Sequence, residues 1–134
     1  MRKVPRVVLG KIGLDSHDTG MRLVSSLLRN AGYEVIYAGL FNTPETLVKA
    51  AIDEDVDVVG LSFHSGGQVE KVHRVLELLA KKKANIPLVV GGVIVQDDIP
   101  KLKAMGVREV FVPGSSADDI IRFFRGAFGG GHQA

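Results

Sequence analysis

Cysteine is absent from the 134 residues, and with it go disulfide cross-links, thiolate metal sites and cysteine nucleophiles. A chain of this length buries enough apolar surface to fold alone as one domain, so it needs no such staples. A reducing compartment fits this composition, and the cytoplasm is the expected one. Long apolar runs are missing too. Nothing approaches the roughly 20 residues that span a bilayer, and MRKVPRVVLG lacks the extended apolar core and small-residue cleavage site of a secretory signal. Neither secretion nor membrane insertion is expected. Nor does one sign of charge dominate: 17 basic residues face 15 acidic ones for a net charge of +2. The one basic cluster, Lys81 to Lys83, falls where a helix should end and cations complement its dipole. No nucleic-acid partner is expected.

What is present is an alternation. Five short β-rich runs, Val4 to Gly10, Glu34 to Tyr37, Val56 to Ser62, Pro87 to Val90 and Glu109 to Val112, are separated by segments of helical periodicity. The helices are expected at Gly20 to Ala31, Pro44 to Glu54, Gln68 to Lys83, Asp97 to Met105 and Ala117 to Phe128. Asn42 or Thr43 before Pro44 supplies an N-cap with proline in the first turn, and Asn30-Ala31-Gly32 supplies a stop. In the third helix Val69, Val72, Val75, Leu76 and Leu79 form the buried stripe. Near-continuous apolar strands are buried on both faces, which points to an α/β fold with a parallel sheet. Strict alternation with right-handed crossovers fits the flavodoxin-like (Rossmann-like) doubly wound five-stranded order 2-1-3-4-5. Residues 1–128 form the domain, and the apolar-poor tail 129–134 is expected to be disordered.

In such a sheet ligands bind at the C-terminal edge, beside the point where strand order reverses. Three stretches should meet there, KIGLDSHDTG after the first strand, SFHSGG after the third and GGV after the fourth, with PGSS on the flank. A neutral imidazole is a good transition-metal ligand whose basicity depends on what its second nitrogen touches. Asp15, two residues before His17, can accept that N–H, and Lys11 can balance the carboxylate. The plainer readings are a solvated strand-end lysine, a turn aspartate and an exposed loop histidine. Most glycines here fit turn chemistry. Adjacent glycines ending an interior strand, Gly91 and Gly92, suggest instead that something bulky passes close to the backbone. Ser62 ends its strand with a hydroxyl at the same edge, either as a ligand contact or as a satisfied strand-end serine.

DSHDTG, with Ser62 and Gly91-Gly92, resembles the DxHxxG…SxL…GG signature of cobalamin-binding domains in mutases and methionine synthase, over about Val7 to Phe124. The resemblance implies base-off, histidine-on binding, with His17 as the axial cobalt ligand and the displaced nucleotide tail entering between strands one and three. Gly20, Gly91 and Gly92 would leave room for the tail. Ser62 would hydrogen-bond its benzimidazole, Ser115 would lie beside the nucleotide, and Asp18 would join Lys11 and Asp15 in the cofactor-binding set. His64 stands where the family usually has leucine; it would line the tail pocket, bond to a partner subunit, or face solvent.

NTPETLVKAAIDEDVDVVGLS and the compact loops resemble acyl-CoA mutases of the methylmalonyl-CoA type. Met1 lies just before the first strand, so the chain is expected to be their separate small subunit. That implies adenosylcobalamin, no catalytic residue in this chain, and a hetero-oligomer with a large TIM-barrel subunit that binds acyl-CoA of the methylmalonyl or 2-hydroxyisobutyryl kind. The chemistry would be isomerisation by radical carbon-skeleton rearrangement. The alternative is a corrinoid carrier for methyl transfer, although no helical cap precedes Val4. A receiver domain would need an aspartate where Ser62 stands and a lysine where Pro113 stands. A flavodoxin would need a hydroxyl-rich loop and aromatics over the flavin. A hydrolase holding a metal on Asp15, His17 and His64 would carry zinc.

Overall fold

The computed structural model describes residues 4–13, 19–64, 67–112 and 114–129. Five strands alternate with five helices: β1 (Arg6–Ile12), α1 (Thr19–Asn30), β2 (Glu34–Asn42), α2 (Pro44–Asp53), β3 (Val58–Phe63), α3 (Gln68–Lys81), β4 (Leu88–Gly92), α4 (Asp98–Met105), β5 (Glu109–Phe111) and α5 (Ala117–Phe128). All pairings are parallel and the order is β2-β1-β3-β4-β5, the doubly wound arrangement the alternation implies.

Side chains along each strand alternate between two cores. Val8, Ile12, Val59, Leu61 and Val90 pack under α2, α3 and α4, against residues such as Leu47, Val72 and Leu102. Val7, Leu9, Val58 and Val89 pack under α1 and α5, against Met21, Leu28, Ile120 and Phe124. Burial on both faces explains why the strands lack a polar alternation. In α3 the stripe is rotated from the expected one: Gln68, Val72, Val75, Leu78 and Leu79 are buried, whereas Val69 and Leu76 are half-buried.

Thr43 is the N-cap of α2. Its hydroxyl accepts from the Thr46 N–H at 3.0 Å and its own N–H donates to Thr46 Oγ1 at 2.9 Å, a closed capping box with Pro44 in the first turn.

The strand bounds differ from the sequence expectation most in β1 and β2. β1 begins at Arg6 and continues through Lys11 to Ile12, and β2 runs five residues past Tyr37 to Asn42. The extension is irregular, with register shifts on β1 between Leu9 and Gly10 and between Gly10 and Ile12. Gly39 and Phe41 both take positive φ, 75° and 62°. Asn42 secures it: its side-chain amide donates to the carbonyls of Lys11 at 3.1 Å and Gly39 at 3.0 Å. A glycine inside YAGLFN reads as a loop in sequence, and only the pairing to β1 makes it a strand.

Candidate functional site

The C-terminal edge gathers the ends of β1, β3 and β4, with the turn after β5 on the flank. Of the residues expected there, Lys11, Gly20, Ser62, His64, Gly91, Gly92 and Ser115 are described. Asp15, His17 and Asp18 lie outside the described residues.

Lys11 is not a solvated strand end. It is 1% exposed, and its Nζ donates to the Ser62 carbonyl at 3.1 Å, among its contacts. A buried cation is costly unless it is hydrogen-bonded and paired. The ammonium thus links the last residues of β1 to the last turn of β3, at the start of the segment that carries Asp15 and His17.

Beside this link a groove of about 260 Å³ opens between α1 and α5. Its floor is the sheet face formed by Leu9, Gly60, Ser62, Val89, Gly91 and Phe111, and its sides include Leu23 and Val24 of α1 and Ile120 and Phe124 of α5. β1 and β3 are paired residue by residue from Val7↔Val58 to Gly10↔Leu61, so an entry between strands one and three has room only beyond that pairing, at their C-terminal ends. The open space lies over the sheet, chiefly across β3 and β4.

No described residue lining the groove is charged. Among the described residues lining it, only Ser62 and Ser115 have polar side chains. Ser115 Oγ donates to the Val112 carbonyl at 2.8 Å. No described residue hydrogen-bonds the Ser62 hydroxyl, because its strand bonds and the Lys11 contact engage the backbone instead. His64 is exposed at the end of β3 and is not among the residues lining the groove.

The glycines divide by cause. A Cβ at Gly20 would meet nothing within 4 Å, and one at Gly91 would meet only Phe111, at 3.5 Å and beyond, so both leave space at the groove. Gly92 also lines the groove, yet its missing side chain has a reason within the chain: φ is 109° and a Cβ would lie 1.9 Å from the Phe63 carbonyl oxygen. Gly60 was not anticipated. A Cβ there would strike Leu9 Cδ2 at 2.5 Å and so push Leu9 towards the groove. Its signal in the sequence is a glycine interrupting the apolar run VVGLS. The apolar lining residues Leu23, Val24 and Phe111 carry no such signal, since in sequence they look like ordinary core residues.

A slot whose described lining carries no charge and one uncommitted hydroxyl among aliphatic and aromatic side chains suits a flat, largely apolar heterocycle. Comparison with known proteins agrees. The family model described as the B12 binding domain matches residues 5–122. The chain is 42% identical over 121 residues to the 2-hydroxyisobutanoyl-CoA mutase small subunit of Aquincola tertiaricarbonis, covering 90% of this chain and 89% of that one. It is 40% identical over 116 residues to the pivalyl-CoA mutase small subunit of Xanthobacter autotrophicus, covering 87% and 78%. A cobalamin-binding protein from Desulfitobacterium hafniense shares the fold, with a TM-score of 0.79 at 19% identity over 92% of this chain and 58% of that one. This chain belongs to the B12-binding domain family, among the small subunits of CoA mutases.

Proposed function

We propose that this chain is the cytoplasmic, cobalamin-carrying small subunit of an acyl-CoA mutase, holding adenosylcobalamin with its own base displaced and His17 on cobalt. The observation that carries the reading is the uncharged groove beside the order reversal of the sheet, open at Gly20 and Gly91 and offering the Ser62 hydroxyl. Bound cobalamin would supply the cobalt–carbon bond from which a radical rearrangement starts. The chain's own part is to bind and orient. His17 would donate a ring-nitrogen lone pair to cobalt, and Asp15 would accept the N–H of the other nitrogen, which fixes the tautomer. Lys11, held by the Ser62 carbonyl, would balance the carboxylate. Asp18 would complete the loop's contacts with the cofactor, and Ser115 would flank the tail. The acyl-CoA site would belong in a large partner subunit, as the names of the small-subunit relatives support, and that partner would hold it in a TIM barrel.

The test is electron paramagnetic resonance of reduced cobalamin on the full chain carrying nitrogen-labelled histidine. Coupling to labelled nitrogen, lost in His17→Ala, is expected. Coupling to the cofactor's own base, or no binding, would overturn the reading.

Phe41 would be one of the residues against which that partner docks. It is 58% exposed at the same edge, and its φ of 62° costs a non-glycine residue about 1 kcal/mol. An exposed aromatic held at such a cost is motivated by contact with another surface. Phe41→Gly should therefore leave the chain as stable or slightly more so, while affinity for the large subunit, read by calorimetric titration, falls about 30-fold. Unchanged affinity would remove Phe41 from the interface.

A further inference from the structure

We infer that Asn42 is a positioning residue for the axial ligand: its side-chain amide fixes the end of β1, and so the place from which the chain sets out towards His17. The inference rests on the cobalamin reading above and goes beyond it, because that reading names a ligand without saying what ties its segment to the sheet.

Pairing of β1 with β3 stops at Gly10↔Leu61, so Lys11, Ile12 and Gly13 run past that ladder. Pairing with β2 is irregular over the same stretch. From Leu9↔Tyr37 to Ile12↔Asn42, three steps on β1 are matched by five on β2, and residues added to one strand of a ladder leave main-chain groups without their regular partners. Asn42 supplies what the ladder lacks. Its amide donates to the carbonyls of Gly39 at 3.0 Å and Lys11 at 3.1 Å, with that of Ala38 at 3.4 Å. Its own carbonyl accepts the Gly13 N–H at 2.9 Å. One residue of β2 thus grips β1 on both sides of Ile12, while the Lys11 ammonium reaches the Ser62 carbonyl on β3. The strand end is clamped to both of its neighbours.

Two glycines fit this arrangement. A Cβ on Gly10 would lie 3.1 Å from Asn42 Nδ2 and 3.0 Å from Leu47 Cδ1, so the amide stands in space that a side chain would need. Gly13 has a φ of 91°, and a Cβ on it would lie 3.2 Å from Lys71 Nζ, so the chain turns there in a confined place. His17 follows within four residues. Over so short a tether a displacement of Gly13 is passed on to an imidazole that must meet cobalt to within about 0.5 Å. Groups that orient a metal ligand without touching the metal are worth about 10- to 100-fold in affinity.

The full chain and its Asn42→Ala, Gly10→Ala and Thr43→Ala variants, each carrying nitrogen-labelled histidine, are loaded with reduced cobalamin and read by electron paramagnetic resonance, with affinities from equilibrium dialysis. In Asn42→Ala the ratio of histidine-on to histidine-off cofactor is expected to fall about tenfold, and cobalamin affinity by a similar factor. Gly10→Ala crowds the amide while leaving it in the chain. It should move both readings the same way, and it decides the matter if Asn42→Ala does not fold. Thr43→Ala is the control for a merely structural role: it removes the N-cap hydroxyl of α2 one residue further on, and should lower the melting temperature by about 5 °C with the ratio and the affinity unchanged. Unchanged ratio and affinity in a folded Asn42→Ala protein, or an equal fall in Thr43→Ala, would overturn the role of Asn42 while the cobalamin reading stands. If the parent chain shows no coupling to labelled nitrogen, the cobalamin reading itself falls and takes this inference with it.

Discussion

Gly92→Ala should lower the melting temperature by about 10 °C or more. Gly92 pairs with Phe63 across the β3–β4 ladder, and the next residue, Val93, donates its N–H to the Phe63 carbonyl at 2.9 Å. A Cβ on Gly92 would lie 1.9 Å from that carbonyl oxygen and 3.0 Å from both the carbonyl carbon and the nitrogen of Phe63. These are backbone atoms, fixed by the ladder, so no side chain can turn aside to relieve the clash. The φ of 109° adds strain for any residue with a Cβ. Together these effects amount to about 3 kcal/mol. Gly106 is the control: its φ is 115° but a Cβ there would meet nothing within 4 Å, so Gly106→Ala carries the dihedral strain without the collision. Thermal unfolding by circular dichroism separates the two. A loss for Gly92→Ala no larger than for Gly106→Ala would show that the ladder yields and the collision carries no weight.

Some of this was legible in the sequence and some was not. The order of elements followed from apolar runs alternating with helical periods, because a parallel sheet buried on both faces leaves that mark on every strand. The end of β1 did not follow. A lysine after Val-Val-Leu-Gly looks like the point where a strand leaves the core, whereas Lys11 is buried, and the Ser62 carbonyl, 51 residues away, is among the groups that receive its ammonium. The second half of β2 was hidden for a related reason, since Asn42 stabilises the irregular extension through the carbonyl of Lys11 on the neighbouring strand. At the site, the convergence of Ser62, Gly91 and Gly92 was visible from strand ends alone. That Gly91 opens on a groove whereas Gly92 accommodates Phe63 was not, because the difference lies in which side of the backbone each missing Cβ would occupy.

That difference makes Gly91 the position from which the groove can be closed without disturbing the sheet. A Cβ on Gly91 meets the Phe111 carbonyl oxygen at 3.5 Å and Phe111 Cβ at 3.7 Å, both ordinary contacts, and its φ lies outside the positive region. The side chain of Gly91→Leu would project over the floor shared with Ser62 and Val89, filling with hydrocarbon a slot that is already apolar. The melting temperature should hold or rise, since apolar surface is buried without displacing backbone. Cobalamin affinity should fall about 100-fold or more, equivalent to about 2.7 kcal/mol, and any corrinoid that still binds should keep its base on cobalt in the visible spectrum. Cobinamide has no tail to place, so its affinity should change by less than a factor of about ten. A folded Gly91→Leu protein that takes up cobalamin base-off as tightly as the parent would mean that the displaced base lodges elsewhere. The 260 Å³ between α1 and α5 would then be a packing defect.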